Sequence, residues 1–503
     1  MLEKLGVKTL INASGTLTKL GGCRVLPESV AAMVEVARNF VDMDDLMEKS
    51  GKYVADFVGA EDALITNGAA AGIVLSVAAC MTEGKLENMA SLPDTKGMKN
   101  EVLMQFNHWH DNPYASLATI PGGKLKIVGQ PSGIDATDMI EGITEKTAAI
   151  LHAYYEPDDS INLEKVVEIA HSHNISLIVD AAAELPPVTN LNKFVKSGAD
   201  LVVFSGGKDI SAPNDTGVIF GKRSFISACK SLGPLSYLDF QGQRRTFVGR
   251  PMKTSKEDVL AFVAAFEEYL KTDHEGKIIK MHAMCDKIVR AVHDIDSTLM
   301  VEKVQPGKGE RIRPITVPRV RLSSPHMTAE FIAEELKKGD PPIYVTLRDD
   351  GIYINPQCLT DDEADKLISS LSRILGPANI KSATDIPEIG KGGVYSHSTS
   401  SGKFVFVSGI SGQNNEKETP FSEQLEITFE KLARILGEAG SSLSGILKLT
   451  VYLADKEYFT ELNRMFAKYF PTQPPARTTV VCNFVVPNIR VEIDAVAVKL
   501  NST

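Results

Sequence analysis

The sequence predicts an α/β domain built on a mostly parallel sheet with a small α+β subdomain, followed by a separate α+β domain. Three observations predict this order. Helix-like and strand-like segments alternate through the first two thirds of the 503 residues, the pattern changes after the helical stretch KTSKEDVLAFVAAFEEYL, and the composition changes again after GPANIKSATDIPEIGKGG. Alternating helices and strands imply right-handed crossovers, so ligands are expected beyond the carboxyl ends of the strands.

Each element is predicted from its apolar pattern. TAAILHAYY, ISLIVDAAA and ADLVVFSGG are short aliphatic runs, which are typical of strands buried on both faces. SVAAMVEVARNFV and LEKVVEIAHSH have apolar residues at helical spacing. Residues 311–372 predict strands followed by the helix DDEADKLISSLSRIL. We therefore expect a first domain at 1–375, with a large part at about 15–255 and a small part at about 256–375, then a linker at 376–384 and a second domain at 385–503.

The composition excludes several classes of protein. With 43% hydrophobic and 23% charged residues, the chain is typical of a soluble globular protein. A net charge of −10 argues against nucleic acid as a partner, because phosphate binding needs a basic surface. The six cysteines are scattered without a CxxC pair, which is typical of reduced thiols in the cytoplasm and offers no metal site. No apolar stretch predicts a signal peptide or a membrane span.

The stretch LVVFSGGKDIS brings a lysine to the end of a hydrophobic strand, where Ser205 and two glycines precede Lys208. A buried ammonium group is costly unless it is paired, covalently bound or deprotonated. A solvated turn is the alternative interpretation. Asp180 ends the strand in LIVDAAAELPP and could hold a protonated pyridine nitrogen, which pyridoxal 5'-phosphate requires to act as an electron sink. Asp180 could instead cap a helix.

Two further segments fit the same cofactor. LITNGAAAGIVLSVAAC predicts a strand, a turn of small residues at Gly68, Ala69 and Ala70, and an apolar helix. Such a turn lets backbone N–H groups bind a phosphate at a helix N-terminus, although close packing is the alternative. NHWHDNPY places His110 after another strand, where an imidazole could stack on a planar ring, although a lone histidine is more often structural. Together these segments indicate a pyridoxal-phosphate site more specifically than any one of them alone.

Residues 1–372 resemble fold-type I pyridoxal-phosphate enzymes of the selenocysteine-synthase-like and D-glucosaminate-6-phosphate ammonia-lyase group. The matching stretches include INASGTLTKLGG, FVDMDDLMEKSGKYVADFVGAEDALITNGAAAG, GADLVVFSGGK and VGRPMKTSKED. The resemblance implies that Lys208 forms a Schiff base with the cofactor, Asp180 pairs with the pyridinium, and His110 covers the ring. The resemblance also implies a phosphate site, for which the candidates are Gly68, Ala69, Ala70 and Ser205.

The chain departs from this group's pattern at two places. Asp111 follows the histidine where the group usually has Arg, and Ala212, Pro213 and Asn214 stand where it tends to have Gly-Pro-Gln. Both places lie where a substrate or the cofactor phosphate would be recognised, so the departures argue against assuming a phosphosugar substrate. Candidate anchors for a substrate carboxylate are Arg250, Arg313 and Arg319, which the sequence does not rank.

The C-terminal domain resembles the Rid family of reactive enamine/imine deaminases, which have a chorismate-mutase-like α+β fold. The matching stretches are GGVYSHSTSSGKFVFVSGISGQ, FTELNRMFAKYFPTQPPARTTV and RVEIDAVAV. By this resemblance Arg477 holds a substrate carboxylate in a two-point ionic contact, and Glu492 handles the proton and water that hydrolyse a C=N bond. The remaining residues that the resemblance assigns to substrate binding are Tyr395, Ser408 and Asn463.

Together the two resemblances predict a bifunctional enzyme. The first domain would eliminate a β-substituent from an amino acid, and the second would hydrolyse the released enamine or imine to a 2-oxo acid and ammonia. Racemisation, aldol cleavage and β-replacement are alternatives for the first domain, as is a ligand-binding or trimerising role for the second. Selenium transfer on a tRNA is disfavoured by the acidic charge balance. We expect a homo-oligomer, with a dimer through the first domain, a trimer through the second, and a hexamer if both contacts persist.

Overall fold

The structure is a computed structural model. It describes residues 1–110, 112–153, 160–233, 238–307, 313–376, 382–390, 393–413 and 418–500. Packing divides the chain into two compact units. Unit 1 comprises Met1–Arg290, Met300–Ser323 and Ala329–Leu367, and unit 2 comprises Ala291–Leu299, Ser324–Thr328 and Ile368–Thr503.

The described secondary structure is numbered here along the chain. The strands are β1 Ile11–Asn12, β2 Asp62–Thr66, β3 Glu101–Gln105, β4 Lys124–Val128, β5 Thr147–Ala153, β6 Ser176–Asp180, β7 Leu201–Ser205, β8 Gly217–Gly221, β9 Leu238–Phe240, β10 Gln243–Arg245, β11 Met300–Val304, β12 Arg319–Ser323, β13 Ile343–Tyr344, β14 Thr346–Arg348, β15 Gly351–Ile354, β16 Ser382–Thr384, β17 Ser398–Ser401, β18 Phe404–Ser411, β19 Ile446–Leu453, β20 Ala476–Val481 and β21 Val491–Val498. The helices are α1 Pro27–Ala37, α2 Met43–Val58, α3 Gly68–Thr82, α4 Leu86–Ser91, α5 Phe106–Trp109, α6 Ala136–Gly142, α7 Leu163–Ser172, α8 Asn190–Lys196, α9 Arg223–Ser231, α10 Lys256–Lys271, α11 His274–His293, α12 Ala329–Lys337, α13 Asp361–Leu375, α14 Phe421–Glu438 and α15 Phe459–Tyr469.

Seven described strands of unit 1 form its large sheet in the order β2-β8-β7-β6-β5-β3-β4. Strand β8 runs antiparallel to both neighbours, and the pairs from β7 to β4 are parallel. The expectation of a mostly parallel sheet is therefore confirmed. Helix α3 is apolar on all sides and is buried over Ala71–Thr82, as expected for a helix inside the core.

The strand ends that concern function lie at one edge of this sheet. Ala153 at the end of β5 is in register with Asp180 at the end of β6, and Asp180 is in register with Val203. Gly217 lies opposite both Thr66 and Ser205, at the ends of β2 and β7. This edge therefore gathers Asp180, the turn after Ser205 and the turn that begins α3, as the crossover pattern predicts.

A smaller antiparallel sheet in unit 1 has the order β11-β12-β15-β14. Helix α12 packs against this sheet, which confirms the expected α+β subdomain. Strand β1 pairs in parallel with β13, and the Asn355 N–H donates to the Ala13 carbonyl at 2.7 Å. These contacts tie the N-terminal segment to the subdomain.

Unit 2 contains a sheet in the order β16-β17-β18-β21-β19-β20, with one parallel pair between β19 and β20. Helices α14 and α15 share a buried apolar core with one face of the sheet. The predicted linker at 376–384 contains strand β16, which pairs with β17, while residues 377–381 of that linker lie outside the described residues. The boundary at 375 stays a prediction. Among the described helices, none has the length and apolar composition needed to cross a membrane.

Candidate active site

A cavity of about 450 Å³ opens at the carboxyl edge of the large sheet. It brings together most of the residues that the sequence suggested for a cofactor. Those lining it are Gly68, Ala69, Ala70, Asp180, Ser205 and Lys208. Asn214, one of the departures from the family pattern, also lines the cavity, whereas Asp111 lies outside the described residues.

Lys208 reaches the cavity because two glycines form a very close turn after β7. A Cβ on Gly206 would lie 2.2 Å from Thr216 Oγ1, and a Cβ on Gly207 would lie 2.5 Å from the Asn214 Cα. Burial lowers the pKa of Lys208, and the negative charges of Asp180 and Glu184 oppose that effect in part. A lowered pKa leaves more of the amine neutral, which is the form that attacks an aldehyde.

Asp180 lies at the end of β6 and accepts a hydrogen bond from the Ala182 N–H at 3.1 Å. It does not cap the next helix, because α8 begins at Asn190 with Thr189 as its N-cap. Burial raises the pKa of Asp180, against the opposing effects of that hydrogen bond and of Lys208. A buried carboxyl group in a cavity needs a cationic or N–H partner, and a protonated pyridine nitrogen is one.

Glu184 is a second buried carboxylate in this cavity, and no sequence motif indicated it. The Arg313 guanidinium binds it with two hydrogen bonds, one of them from Nε to Oε1 at 2.8 Å. Burial raises the pKa of Glu184, although Arg313 lowers it. Arg313 is thus the one of the three candidate anchors that lines this cavity, and its charge is already balanced.

The N-terminus of α3 also opens into the cavity. Gly68 has φ +74°, which glycine adopts without strain, and its N-cap Asn67 makes no side-chain capping hydrogen bond. Strand β8 approaches this turn so closely that a Cβ on Gly217 would lie 2.5 Å from the Gly68 carbonyl carbon. A cradle of glycine and alanine at a helix N-terminus is suited to an anion. With Lys208 and Asp180, it gives the cavity a donor set that fits pyridoxal 5'-phosphate.

The structure separates the two histidines after β3. His108 is buried and lines the cavity, and its ring lies 4.5 Å from the ring of His152 at an interplanar angle of 83°. His110, the predicted ring-covering residue, is exposed, stacks on Phe106 at 5.5 Å and is not among the lining residues. The short helix α5 makes this difference, because it turns residues 108 and 110 in different directions.

In unit 2, Arg477 Nη2 donates to Asn463 Oδ1 at 2.6 Å, and the Arg477 guanidinium lies 4.4 Å from the centre of the Phe466 ring. Burial lowers the pKa of Arg477. Glu492 packs across Gly409, where a Cβ would lie 2.2 Å from Glu492 Oε1. Burial and the neighbouring Asp494 raise the pKa of Glu492.

Of the other two predicted residues of the Rid-like site, Tyr395 precedes β17 and Ser408 lies on β18. Ser408 Oγ donates to the Ser396 carbonyl at 2.7 Å, and Ser408 immediately precedes Gly409, against which Glu492 packs. Tyr395 is 44% exposed. Ser408 therefore lies near Glu492 in the chain's own fold.

Arg477 and Glu492 lie on opposite faces of the sheet. Arg477 on β20 is in register with Leu449, which belongs to the core beneath the helices. Glu492 on β21 is in register with Tyr452, whose neighbours Val451 and Leu453 belong to that core. Because registered residues share a face and successive residues alternate, the two predicted catalytic groups do not meet within one chain.

Comparison with known proteins gives a family for each part of the chain. The family model described as aminotransferase class-V matches residues 29–335, and the model described as endoribonuclease L-PSP matches residues 387–499. A D-glucosaminate-6-phosphate ammonia lyase from Salmonella typhimurium is 33% identical over 380 residues, which cover 74% of this chain and 97% of the relative. The solved structure of D-glucosaminate-6-phosphate ammonia-lyase is 32% identical, covers 74% of this chain and 97% of its own, and has a TM-score of 0.63.

Two further relatives match the N-terminal and the C-terminal parts of the chain separately. A 5'-C-glycyluridine monooxygenase-decarboxylase from Streptomyces is 30% identical over 387 residues, which cover 74% of this chain and 91% of the relative. The mitochondrial protein MMF1 of Saccharomyces cerevisiae is 36% identical over 110 residues, which cover 21% of this chain and 76% of the relative. The chain therefore belongs to the pyridoxal-phosphate-dependent class-V aminotransferase family and carries a C-terminal domain of the L-PSP, or Rid, family.

Proposed function

We propose that this protein is a pyridoxal-phosphate-dependent ammonia-lyase that eliminates a β-substituent from an amino acid. Its C-terminal domain then hydrolyses the released enamine or imine to a 2-oxo acid and ammonia. The observation that carries the proposal is the single cavity that joins Lys208, whose pKa is lowered, with Asp180 and the N-terminus of α3. The name and coverage of the ammonia-lyase relative support the choice of reaction.

Pyridoxal 5'-phosphate, when bound, stabilises negative charge at the substrate carbon that bears the amino group. We assign Lys208 to hold the cofactor and then to remove the proton from that carbon. We assign Asp180 to keep the pyridine nitrogen protonated, and the first N–H groups of α3, with Ser205, to bind the phosphate. We assign the ring contact to His108 instead of His110, because His108 lines the cavity.

The second step is assigned to the C-terminal domain. Arg477, held by Asn463, would bind the carboxylate of the enamine or imine, and Glu492 would move the proton of the attacking water. Since these residues lie on opposite faces of one sheet, we propose that a complete site takes them from two chains. The outer face supports this, because it carries exposed apolar side chains at Phe404, Phe406 and Val480.

We propose that copies of the chain assemble through two kinds of contact. A two-fold contact through the class-V domain and a three-fold contact through the Rid domain close most simply as a hexamer. Light scattering should then give about six times the 54.6 kDa mass of one chain. A simple dimer would contradict a shared Rid site. We place the protein in the cytoplasm, since the six cysteines form no disulfide.

The function is tested with β-hydroxy amino acids offered as both enantiomers to the purified, cofactor-loaded protein. Formation of 2-oxo acid and ammonia in equal amounts, without an acceptor molecule, is the expected result. Formation of the opposite enantiomer, of glycine with an aldehyde, or of product only when a second nucleophile is added would instead indicate racemisation, aldol cleavage or β-replacement.

A further inference from the structure

The turn after β7 borders two cavities, and only one of them is the candidate cofactor site. Lys208 lines that site and also lines another cavity of about 350 Å³, whose wall includes the next residue, Asp209. Asp209 is not among the residues that line the candidate cofactor site. It is therefore joined directly to Lys208 in the chain, but its side chain has different surroundings.

The Asp209 side chain is fixed by two residues from separate elements. It is fully buried, and its Oδ1 accepts hydrogen bonds from Lys277 Nζ on α11 at 2.8 Å and from Gln357 Nε2 at 3.1 Å. Its Oδ2 is also buried and has no hydrogen-bond partner among the described residues. The Lys277 ammonium balances a charge that would be costly to bury alone. The position of the Asp209 carboxylate therefore depends on these two contacts with Oδ1.

Gln357 connects Asp209 to the small subdomain. It lies three residues after the end of β15, and its N–H donates to Asn355 Oδ1 at 2.9 Å. Asn355 is buried, and its own N–H donates to the Ala13 carbonyl. Strand β15 is an inner strand of the small sheet. A movement of the subdomain would therefore carry Gln357 with it and act on Asp209.

The turn that presents Lys208 contains a strained residue. Ser211 has φ +63°, a conformation that is unfavourable for a residue other than glycine, and its N–H donates to the Lys208 carbonyl at 3.0 Å. Such a conformation persists only where the surrounding contacts enforce it. Gly206 and Gly207 have no side chains to provide such contacts. The buried side chain of Asp209 does provide them, within the same turn.

We propose that Asp209 is a positioning residue for Lys208, and that through Gln357 it makes the position of the lysine amine depend on the position of the small subdomain. The inference rests on the proposed role of Lys208 and adds a residue that acts through it. Burial, Asp180 and Glu184 shift the pKa of Lys208, and Asp209 is not among these causes. Asp209 therefore acts on the geometry of the amine. Proton removal depends steeply on the alignment of the base with the carbon, so this step is the one affected.

The test compares Asp209→Ala and Asp209→Asn with wild type, using the full-length, cofactor-loaded protein and the amino acid that wild type uses best. Asp209→Ala should lower kcat per bound cofactor by about thirtyfold with KM nearly unchanged. It should also raise the kinetic isotope effect of a deuterium at the α-carbon, because proton removal becomes the slow step. Asp209→Asn keeps an oxygen that can accept from Lys277 and Gln357, so it should recover part of the loss. Asp362→Ala, which removes an exposed carboxylate from α13 of the subdomain, is the matched control.

Gln357→Leu tests the link to the subdomain, because it leaves the Lys277 contact in place. We expect a raised isotope effect in this variant, while covalent attachment of pyridoxal 5'-phosphate to the apoprotein, trapped with borohydride at successive times, keeps the wild-type rate. Asp209→Ala should slow that attachment by about tenfold. The pH midpoint of the absorbance of the bound cofactor should stay unchanged in all three variants, since Asp209 acts on geometry.

A wild-type isotope effect and attachment rate in Asp209→Ala would make Asp209 merely structural and overturn the inference. A wild-type isotope effect in Gln357→Leu would overturn the link to the subdomain, and a shifted pH midpoint would replace the geometric role with an electrostatic one. If wild type forms no 2-oxo acid from any amino acid, the lyase proposal fails, and the attachment rates still decide whether Asp209 positions Lys208. If Asp209→Ala does not fold, Asp209→Asn and Gln357→Leu provide the same comparisons.

Discussion

The cavity at Lys208 and the residues around Arg477 are built on two kinds of sheet. In unit 1, the parallel strands β6 and β7 end at one edge, so Asp180 and Lys208 meet within one chain and are buried there. In unit 2, the two predicted catalytic residues project from opposite faces of a mostly antiparallel sheet. Arg477 lies on the helix side and Glu492 on the open side.

This difference separates two ways of making a site. A parallel sheet gathers the loops that follow its strands, so one chain supplies a buried pocket whose low polarity shifts the pKa values of its groups. One face of an open sheet supplies only part of a site. That part becomes a pocket only when the surface of another chain or domain covers it. Substitutions in the two sites should therefore have different consequences, because only the second site depends on another chain.

Lys208→Ala should lower lyase turnover by about a thousandfold or more, since we assign both cofactor attachment and proton removal to this amine. Ammonia and 2-oxo acid formation measure the loss, and Lys165→Ala on the exposed side of α7 is the control. Borohydride reduction followed by peptide mass mapping locates the covalent link in wild type. A reducible link that persists in the variant would show that another lysine carries the cofactor.

Asp180→Asn should retain the cofactor but lower turnover by about a hundredfold, because a neutral amide does not keep the pyridine nitrogen protonated. Absorbance of the bound cofactor and kcat are measured on the same sample. Asp56→Asn, which changes an exposed carboxylate on α2, should leave both unchanged. Wild-type turnover in Asp180→Asn would remove this residue from the site.

Arg477→Ala and Glu492→Gln should each slow hydrolysis of the enamine or imine by about a hundredfold, while consumption of the amino acid continues. Semicarbazide trapping measures how long the intermediate persists. When the two variants are dissociated, mixed equally and reassembled, about a quarter of the wild-type hydrolysis should return, because one site in four then receives both intact residues. A mixture as slow as its components would mean that each site belongs to one chain.

His108→Gln should weaken cofactor binding by about tenfold, because the buried imidazole lines the cavity, whereas His110→Gln should have little effect. Equilibrium titration of the apoprotein with pyridoxal 5'-phosphate measures both. His110→Gln is the matched control for His108→Gln, since it makes the same substitution two residues away. If His110→Gln weakened cofactor binding more than His108→Gln did, the ring contact would be reassigned to His110, as the sequence suggested.

Asp494→Asn should move the acid limb of the hydrolysis pH profile downward by less than about one pH unit. Asp494 raises the pKa of Glu492, so removing its charge lets Glu492 ionise at lower pH and act as a base there. Tyr452→Phe is the control, because it removes the 3.1 Å hydrogen bond to Asp494 but keeps the charge. An unshifted limb would assign that ionisation to another group.

The sequence predicted the buried strands well because each is a continuous aliphatic run. Asp180 ends such a run and Lys208 follows another by three residues, and both line the cavity. It did not predict strand β16, since a short polar edge strand has no apolar pattern. Whether His108 or His110 lines the cavity depends on the turn made by α5, which the spacing of the two histidines does not predict. Glu184 was missed because long-range packing alone brings it to the cavity.

One further signal was present in the sequence. In RVEIDAVAV, Val491 and Ile493 alternate with Glu492 and Asp494, so the core pattern already assigns Glu492 to the outer face. The position of Arg477 was less readable, because β20 alternates weakly between exposed and half-buried residues. Its face became clear only from its register with Leu449.

Helix α3 begins at the cavity and continues as twelve buried residues through the middle of the core, from Ala71 to Thr82. A phosphate bound at its first turn would therefore be linked to the thermal stability of the whole of unit 1. Ligand present at a hundred times its dissociation constant adds about 2.7 kcal/mol to the free energy of unfolding. The apoprotein should melt at a lower temperature and be degraded faster in the cell, so the supply of vitamin B6 would set the amount of this protein as well as its activity.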